Sequence, residues 1–167
     1  ALNNFDEYTM LGAGRLAPYV GFTEEEVKAL CDQYEVAFPE VRHWYDGYMI
    51  GKYHVYNPKA VVSVIQQGEF KSYWSQTSTF ESIRPFINMD FDGLRSAIIE
   101  MLSGDAVAVD PLTFQNDMVN LKCRDDVITL LIHLGYLAYD SVKKKAFIPN
   151  EEVRQEFGYV TKDDRSN

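Results

Sequence analysis

Gly47, Gly51 and Lys52 come nearest to a phosphate-binding loop in this 167-residue chain. Such a loop needs two glycines separated by four residues and then Lys and Ser or Thr, so that backbone amides surround the phosphates and the hydroxyl reaches magnesium. Here three residues separate the glycines and Tyr53 stands where the hydroxyl should be, so the pattern fails at two positions. Gly12-Ala-Gly14-Arg-Leu-Ala17 fits a dinucleotide glycine pattern superficially, but Pro18 interrupts the helix whose N-terminus would hold the pyrophosphate. Asp46 followed by Glu69-Phe-Lys71 imitates the set with which restriction-type nucleases hold a divalent metal and position water. That chemistry needs the Glu and Lys on a core strand, whereas Gly68 places them at the exit of a helix, which predicts a solvated loop. His43, His54 and His133 are too scattered to make a ligand cluster and are expected to be structural. Spacing alone assembles no Ser-His-Asp or Cys-His set. Cys31 and Cys123 are too few and too far apart for a disulfide scaffold or a zinc site. The expectation is a chain without catalytic, cofactor-binding or metal-ligating residues of its own.

Two groups are left as candidates for contact with a partner. In Trp44-Tyr-Asp-Gly-Tyr48, aromatic residues at helical spacing predict packing, with Asp46 capping or tethering a neighbouring turn and Gly47 taking a backbone angle that other residues resist. The competing reading is that Trp44, Tyr45, Asp46 and Tyr48 face another part of a larger protein. Lys143, Lys144 and Lys145 form the one dense basic patch and are the candidate nucleic-acid contact. A formal net charge of −9 opposes attraction to nucleic acid or an anionic membrane, so solvation of a turn is the expected role of these lysines.

Apolar residues at 46% and charged residues at 25% describe a folded chain rather than a disordered one. The longest mostly apolar run, residues 127–139, is broken by Thr129, His133 and Gly135, so no membrane span is expected, and reduced cysteines fit a cytoplasmic setting. No Met opens the chain and Ala1-Leu-Asn-Asn-Phe5 carries no capping pattern, which raises the expectation of a piece of something longer.

The elements that must position these residues are legible in part. Thr23-Glu-Glu-Glu26 reads as a capping box, followed by Val27, Leu30, Cys31 and Tyr34 on one helix face. Pro39 suits the start of a second helix reaching Asp46, with Val41, Trp44, Tyr45 and Tyr48 on one face. Residues 53–56 alternate as a strand; Asn57-Pro58 then supplies an N-cap and a first-turn proline for a helix that Gly68 closes. A helix over residues 80–88 should be bent or divided by Pro85. Leu94, Ile98, Met101 and Leu102 mark another, and residues 107–109 are extended. The last third predicts a helix from Arg124 or Asp125 to Gly135, a hairpin of residues 136–139 and 146–148, and a final helix capped by Pro149-Asn150, with a polar, frayed tail from Thr161. Leu131, Leu134, Tyr136 and Phe147 are expected to share the core beneath the hairpin.

Gly21-Phe-Thr-Glu-Glu-Glu-Val27, Trp44-Tyr-Asp-Gly-Tyr48, Val55-Tyr-Asn-Pro58, Gly68-Glu-Phe-Lys-Ser-Tyr-Trp74, Leu134-Gly-Tyr-Leu137 and Ile148-Pro-Asn-Glu-Glu-Val-Arg154 follow one another in an order and spacing that resembles the predicted AAA-ATPase-like family of bacterial proteins. In that family an ATPase core is commonly followed by a nuclease-like domain of the PD-(D/E)XK type. The resemblance covers residues 2–157 and places the chain in the C-terminal half of the ATPase-like region. Met49-Ile50 departs from the basic residue and aromatic that relatives often carry after this tyrosine.

The resemblance implies a mainly α (α+β) fold: a helical lid-like bundle over residues 1–120, a winged-helix-like segment with a small β-hairpin over 121–160, and a polar tail over 161–167. It further implies a noncatalytic part packing against a nucleotide-binding core and coupling it to the nuclease-like domain, with ATP and magnesium belonging to the parent protein. The alternative is a DNA-binding or protein-interaction module built on the winged-helix-like part.

Overall fold

Thr23 opens the first helix by the reciprocal bonding the sequence predicts: its hydroxyl accepts from the Glu26 N–H at 3.2 Å, and the Glu26 carboxylate accepts from the Thr23 N–H at 3.0 Å. The computed structural model describes residues 21–46, 48–50, 53–73, 78–110 and 121–163. Strand β1 (Phe22–Thr23) leads into helix α1 (Glu24–Tyr34), and α2 (Phe38–Tyr45) begins with Pro39 in its first turn. Strands β2 (Tyr48–Ile50) and β3 (Tyr53–Tyr56) follow. Asn57 then caps α3 (Pro58–Gln67) through its side-chain oxygen on the Lys59 N–H at 2.8 Å, and Gly68 ends it in the left-handed conformation at φ 68°. Helix α4 (Ser78–Asn88), a 3-10 turn (Phe91–Gly93), α5 (Leu94–Leu102) and strand β4 (Val107–Ala108) lead to α6 (Arg124–His133). Strands β5 (Ala138–Asp140) and β6 (Lys145–Phe147) form a hairpin, and α7 (Glu151–Asp163) is capped by Asn150, whose Oδ1 accepts from the Val153 N–H at 3.0 Å.

The fold is mainly α (α+β), with two small antiparallel sheets in the orders β1-β3-β2 and β4-β6-β5. Each sheet accompanies its own apolar cluster. Val27, Cys31, Val41, Tyr45, Tyr56, Ala60, Val61 and Val64 bury themselves between α1, α2, β3 and α3. The larger cluster runs from Phe80, Ile83 and Ile87 through Leu94, Ile98, Val127, Leu131 and Tyr136 to Ala146, Val153, Phe157 and Val160. Residues 78–110 therefore pack with residues 121–163, and the two clusters divide between Tyr73 and Phe80. Strand β4 supplies the third strand beside the hairpin that follows.

Several local expectations are corrected. Tyr48 belongs to β2, paired with Val55, rather than to the preceding helix. Tyr34 is 52% exposed because it is the last residue of α1, with Glu35 already left-handed behind it. Of the bend or division expected at Pro85, division does not occur: α4 runs from Ser78 to Asn88 with Pro85 inside it. The first hairpin strand begins at Ala138 rather than Tyr136, since the N–H groups of Tyr136 and Leu137 turn back onto the Leu131 carbonyl at 2.9 and 3.3 Å to close α6 around Gly135, at φ 84°. In β6 it is Ala146 that is fully buried, so Phe147, one residue on, is only half-buried and the hairpin's inward residue is the smaller one. Thr161 is a buried residue of α7, which runs to Asp163, so the expected frayed tail is helical over its first three residues.

Candidate functional site

The Trp44-Tyr-Asp-Gly-Tyr48 string sits where α2 gives way to β2. Tyr45 is buried beside the segment leaving α3, with the Trp44 and Tyr73 rings 6.2 and 6.3 Å from it. Its hydroxyl donates to the Lys71 carbonyl at 2.7 Å and accepts from the Lys71 N–H at 3.2 Å. Burial pushes the Tyr45 pKa up, and the nearby Glu152 charge adds to the shift. Asp46 is buried as well, and its partners lie on a strand and a helix rather than on a turn: Oδ1 meets His54 Nδ1 on β3 at 3.2 Å, and Oδ2 lies 3.6 Å from Arg42 Nε one helical turn back. A carboxylate taken out of water costs several kcal/mol on the order of its desolvation unless partners of this kind meet it. Tyr56 lies behind this pair, fully buried, with its pKa pushed up by burial and then by Asp46 and Glu24. Trp44 is half-buried and keeps part of its ring at the surface.

The residues of the nuclease-like set have separate partners. Glu69 and Lys71 pair with each other at 3.5 Å on the surface, while Asp46 is engaged with Arg42 and His54. Among the described residues no group of three or more His, Cys, Asp or Glu side chains is placed to hold a metal ion. His43 is exposed on α2, His54 is joined to Asp46, and His133 is half-buried at the end of α6, where burial lowers its pKa. Cys31 lies in the smaller core and Cys123 precedes α6; both are free thiols. The near-matches to phosphate loops at Gly12–Pro18 and at Gly47, Gly51 and Lys52 fall outside the described residues.

Lys143, Lys144 and Lys145 occupy the hairpin connection and its first β6 residue, all exposed, beside Val142 at 89% exposure. The turn has a defined shape: Asp140 Oδ1 accepts from the N–H groups of Val142 and Lys143 at 3.0 and 3.1 Å, and Lys144 adopts a left-handed φ of 55°. Helix α6, which precedes the hairpin, is buried along its whole middle, from Asp126 to Ile132. It has no face to lay into a nucleic-acid groove.

Sequence reasoning missed Glu152, Glu156 and Ser72. Glu152 Oε2 accepts from the Tyr73 N–H and Glu156 Oε1 from the Ser72 hydroxyl, each at 2.6 Å, across 79 and 84 residues of chain. The one signal was the i, i+4 spacing of two acids on a helix face otherwise lined by Val153, Phe157 and Val160.

No family model matches the chain, and no solved structure matches it. Over 158 residues it is 27% identical to the protein described as "Uncharacterized protein in vnfD 5′ region" of Azotobacter chroococcum mcd 1. That alignment takes in 92% of this chain and 28% of the Azotobacter protein, so the chain spans little more than a quarter of that relative's length. No helix among the described residues is long and apolar enough to cross a membrane.

Proposed function

We propose that this chain is the noncatalytic lid and winged-helix-like portion of a predicted AAA-type ATPase-like protein of the cytoplasm. In this reading it packs against a nucleotide-binding core through the Trp44–Tyr48 region and couples that core to a nuclease-like domain. The observation that carries the proposal is the order α6, β5, β6, α7 with β4 paired to the far side of β6, an arrangement of helix, hairpin and third strand that suits a winged-helix unit. The family-like strings fit this order, and alignment to 28% of a longer protein suits a segment of a larger polypeptide. ATP and magnesium belong to the parent in this reading, since phosphoryl transfer needs a phosphate cradle, a metal-holding group and a group that positions water around one nucleotide.

Calorimetry with ATP and magnesium, followed by a phosphate-release assay, tests binding and turnover separately. The expected outcome is a folded chain that neither binds tightly nor hydrolyses ATP alone, and a parent protein that does both. Magnesium-dependent turnover by this chain, abolished by a point change within it, would overturn the proposal. One observation favours a second reading, a nucleic-acid or protein contact through the hairpin: three exposed lysines on a turn of fixed shape. The burial of α6 limits that reading to backbone contact by the turn itself.

A further inference from the structure

Tyr45 is tied by both its donor and its acceptor capacity to the backbone of Lys71, so one ring fixes the end of α2 to the segment that leaves α3. The next two residues of that segment are held from the other side. Ser72 Oγ donates to Glu156 and the Tyr73 N–H donates to Glu152, both at 2.6 Å, and these acceptors stand one turn apart on α7. They are deep for carboxylates, 2% exposed at Glu152 and 8% at Glu156, and each takes part in further interactions. Helix α2 also packs directly on α7. Beyond Tyr45, the chain continues to Asp46, which holds β3 through His54. Hydrogen bonds joined by one- and two-residue lengths of backbone therefore run from α7 through residues 71–73 to α2 and on to β3.

We propose that residues 71–73 are a clasp through which α7 sets the position of the end of α2 at Trp44, Tyr45 and Asp46, so that a shift of α7 is passed to α2 and β3. A buried carboxylate that loses a donor keeps its desolvation penalty, which makes half-released arrangements unfavourable; the clasp is therefore closed or open rather than graded. The joint is polar while the bodies on either side are apolar, so the clusters remain packed when it opens. This coupling rests on the bonds themselves and is independent of the ATPase-like reading: the chain could lack any nucleotide-binding parent and still transmit the shift.

Amide hydrogen exchange on the whole chain, read element by element, tests the clasp. In a Glu152→Ala/Glu156→Ala variant, amides of α2 and β3 should exchange about tenfold faster, the fold-change that loss of charged hydrogen bonds of ordinary strength produces. Amides at the centre of α6 should stay at the parent rate. Tyr45→Phe should reproduce the effect at α2 and β3 while leaving α7 protected, because it cuts the same path at its other end. Acceleration confined to α7 and residues 71–73 would overturn the proposal, and so would an equal acceleration in α6, which would mark these bonds as general stability. Should the double variant not fold, Ser72→Ala removes a single bond and must still accelerate α2 severalfold; an unchanged α2 rejects the clasp.

Discussion

His133 shows two forces on one residue pulling in opposite directions. As the last residue of α6 it lies where the helix dipole favours a cation, by about 0.3–1 kcal/mol at an exposed site. Yet the ring is half-buried and its pKa is lowered from 6.5, so desolvation wins. The unfolded chain then binds a proton at a higher pH than the folded one. Between the lowered folded pKa and about 6.5 the unfolded state carries more protons, so stability rises with pH across that window and is lost as pH falls through it. Thermal unfolding on the acid side of pH 7 should show this slope in the parent chain and a shallower one in His133→Gln. Identical slopes would mean that carboxylates alone set the acid limit. Asp46 differs in having side-chain partners on two elements, Arg42 at 3.6 Å and His54 at 3.2 Å, to offset the cost of its burial.

At the level of elements, the hairpin gives the sharpest comparison. Leu131 is fully buried at the centre of the larger cluster, so Leu131→Ala should cost about 2–5 kcal/mol, measured by denaturant unfolding. Phe147→Ala should cost clearly less, because the residue of β6 that enters the core is Ala146. Equal losses would contradict the register in which Tyr139 faces Ala146. The same comparison marks what could be read from sequence. Caps were legible because their partners lie within three residues: Thr23 with Glu26, Asn57 with Lys59, Gly68 with the end of α3. Strand phase was not, because an apolar run such as Ala146-Phe147-Ile148 offers two faces and only the partner strand chooses one. Tyr48 fell to the same ambiguity, since its spacing from Tyr45 and Trp44 suits a helix while its pairing with Val55 makes it a strand residue. Gly21 carried no signal either: a Cβ there would come within 2.6 Å of Val55 Cγ1 and 2.7 Å of the Tyr56 carbonyl, a closeness set by a strand more than thirty residues later in the sequence. The clasp acids escaped notice for the same reason, with partners 79 and 84 residues away.

For the molecule as a whole, charge and burial bear on whether it meets nucleic acid. The formal net charge of −9 repels a polyanion at long range, and the one dense run of positive charge is the exposed Lys143-Lys144-Lys145 turn. Helix α6 is enclosed from Asp126 to Ile132, so base edges are out of reach of its middle, and the exposed turn is the part of the hairpin placed to meet a phosphate backbone. Each phosphate neutralised contributes about −0.9 to the slope of log K against log salt on duplex DNA, which limits three lysines to a slope no steeper than about −2.7. Fluorescence anisotropy with unrelated duplexes over a range of salt concentrations should therefore find weak binding at most, indifferent to sequence, with a slope within that limit. Changing Lys143, Lys144 and Lys145 together to alanine should remove it. A steeper slope, or a preference for one duplex that survives the triple change, would require a second basic surface and a reading element other than α6. Weak and wholly salt-governed binding would instead leave the hairpin as an electrostatic contact, with the acidic remainder of the chain keeping it from polyanions except where a partner holds them close.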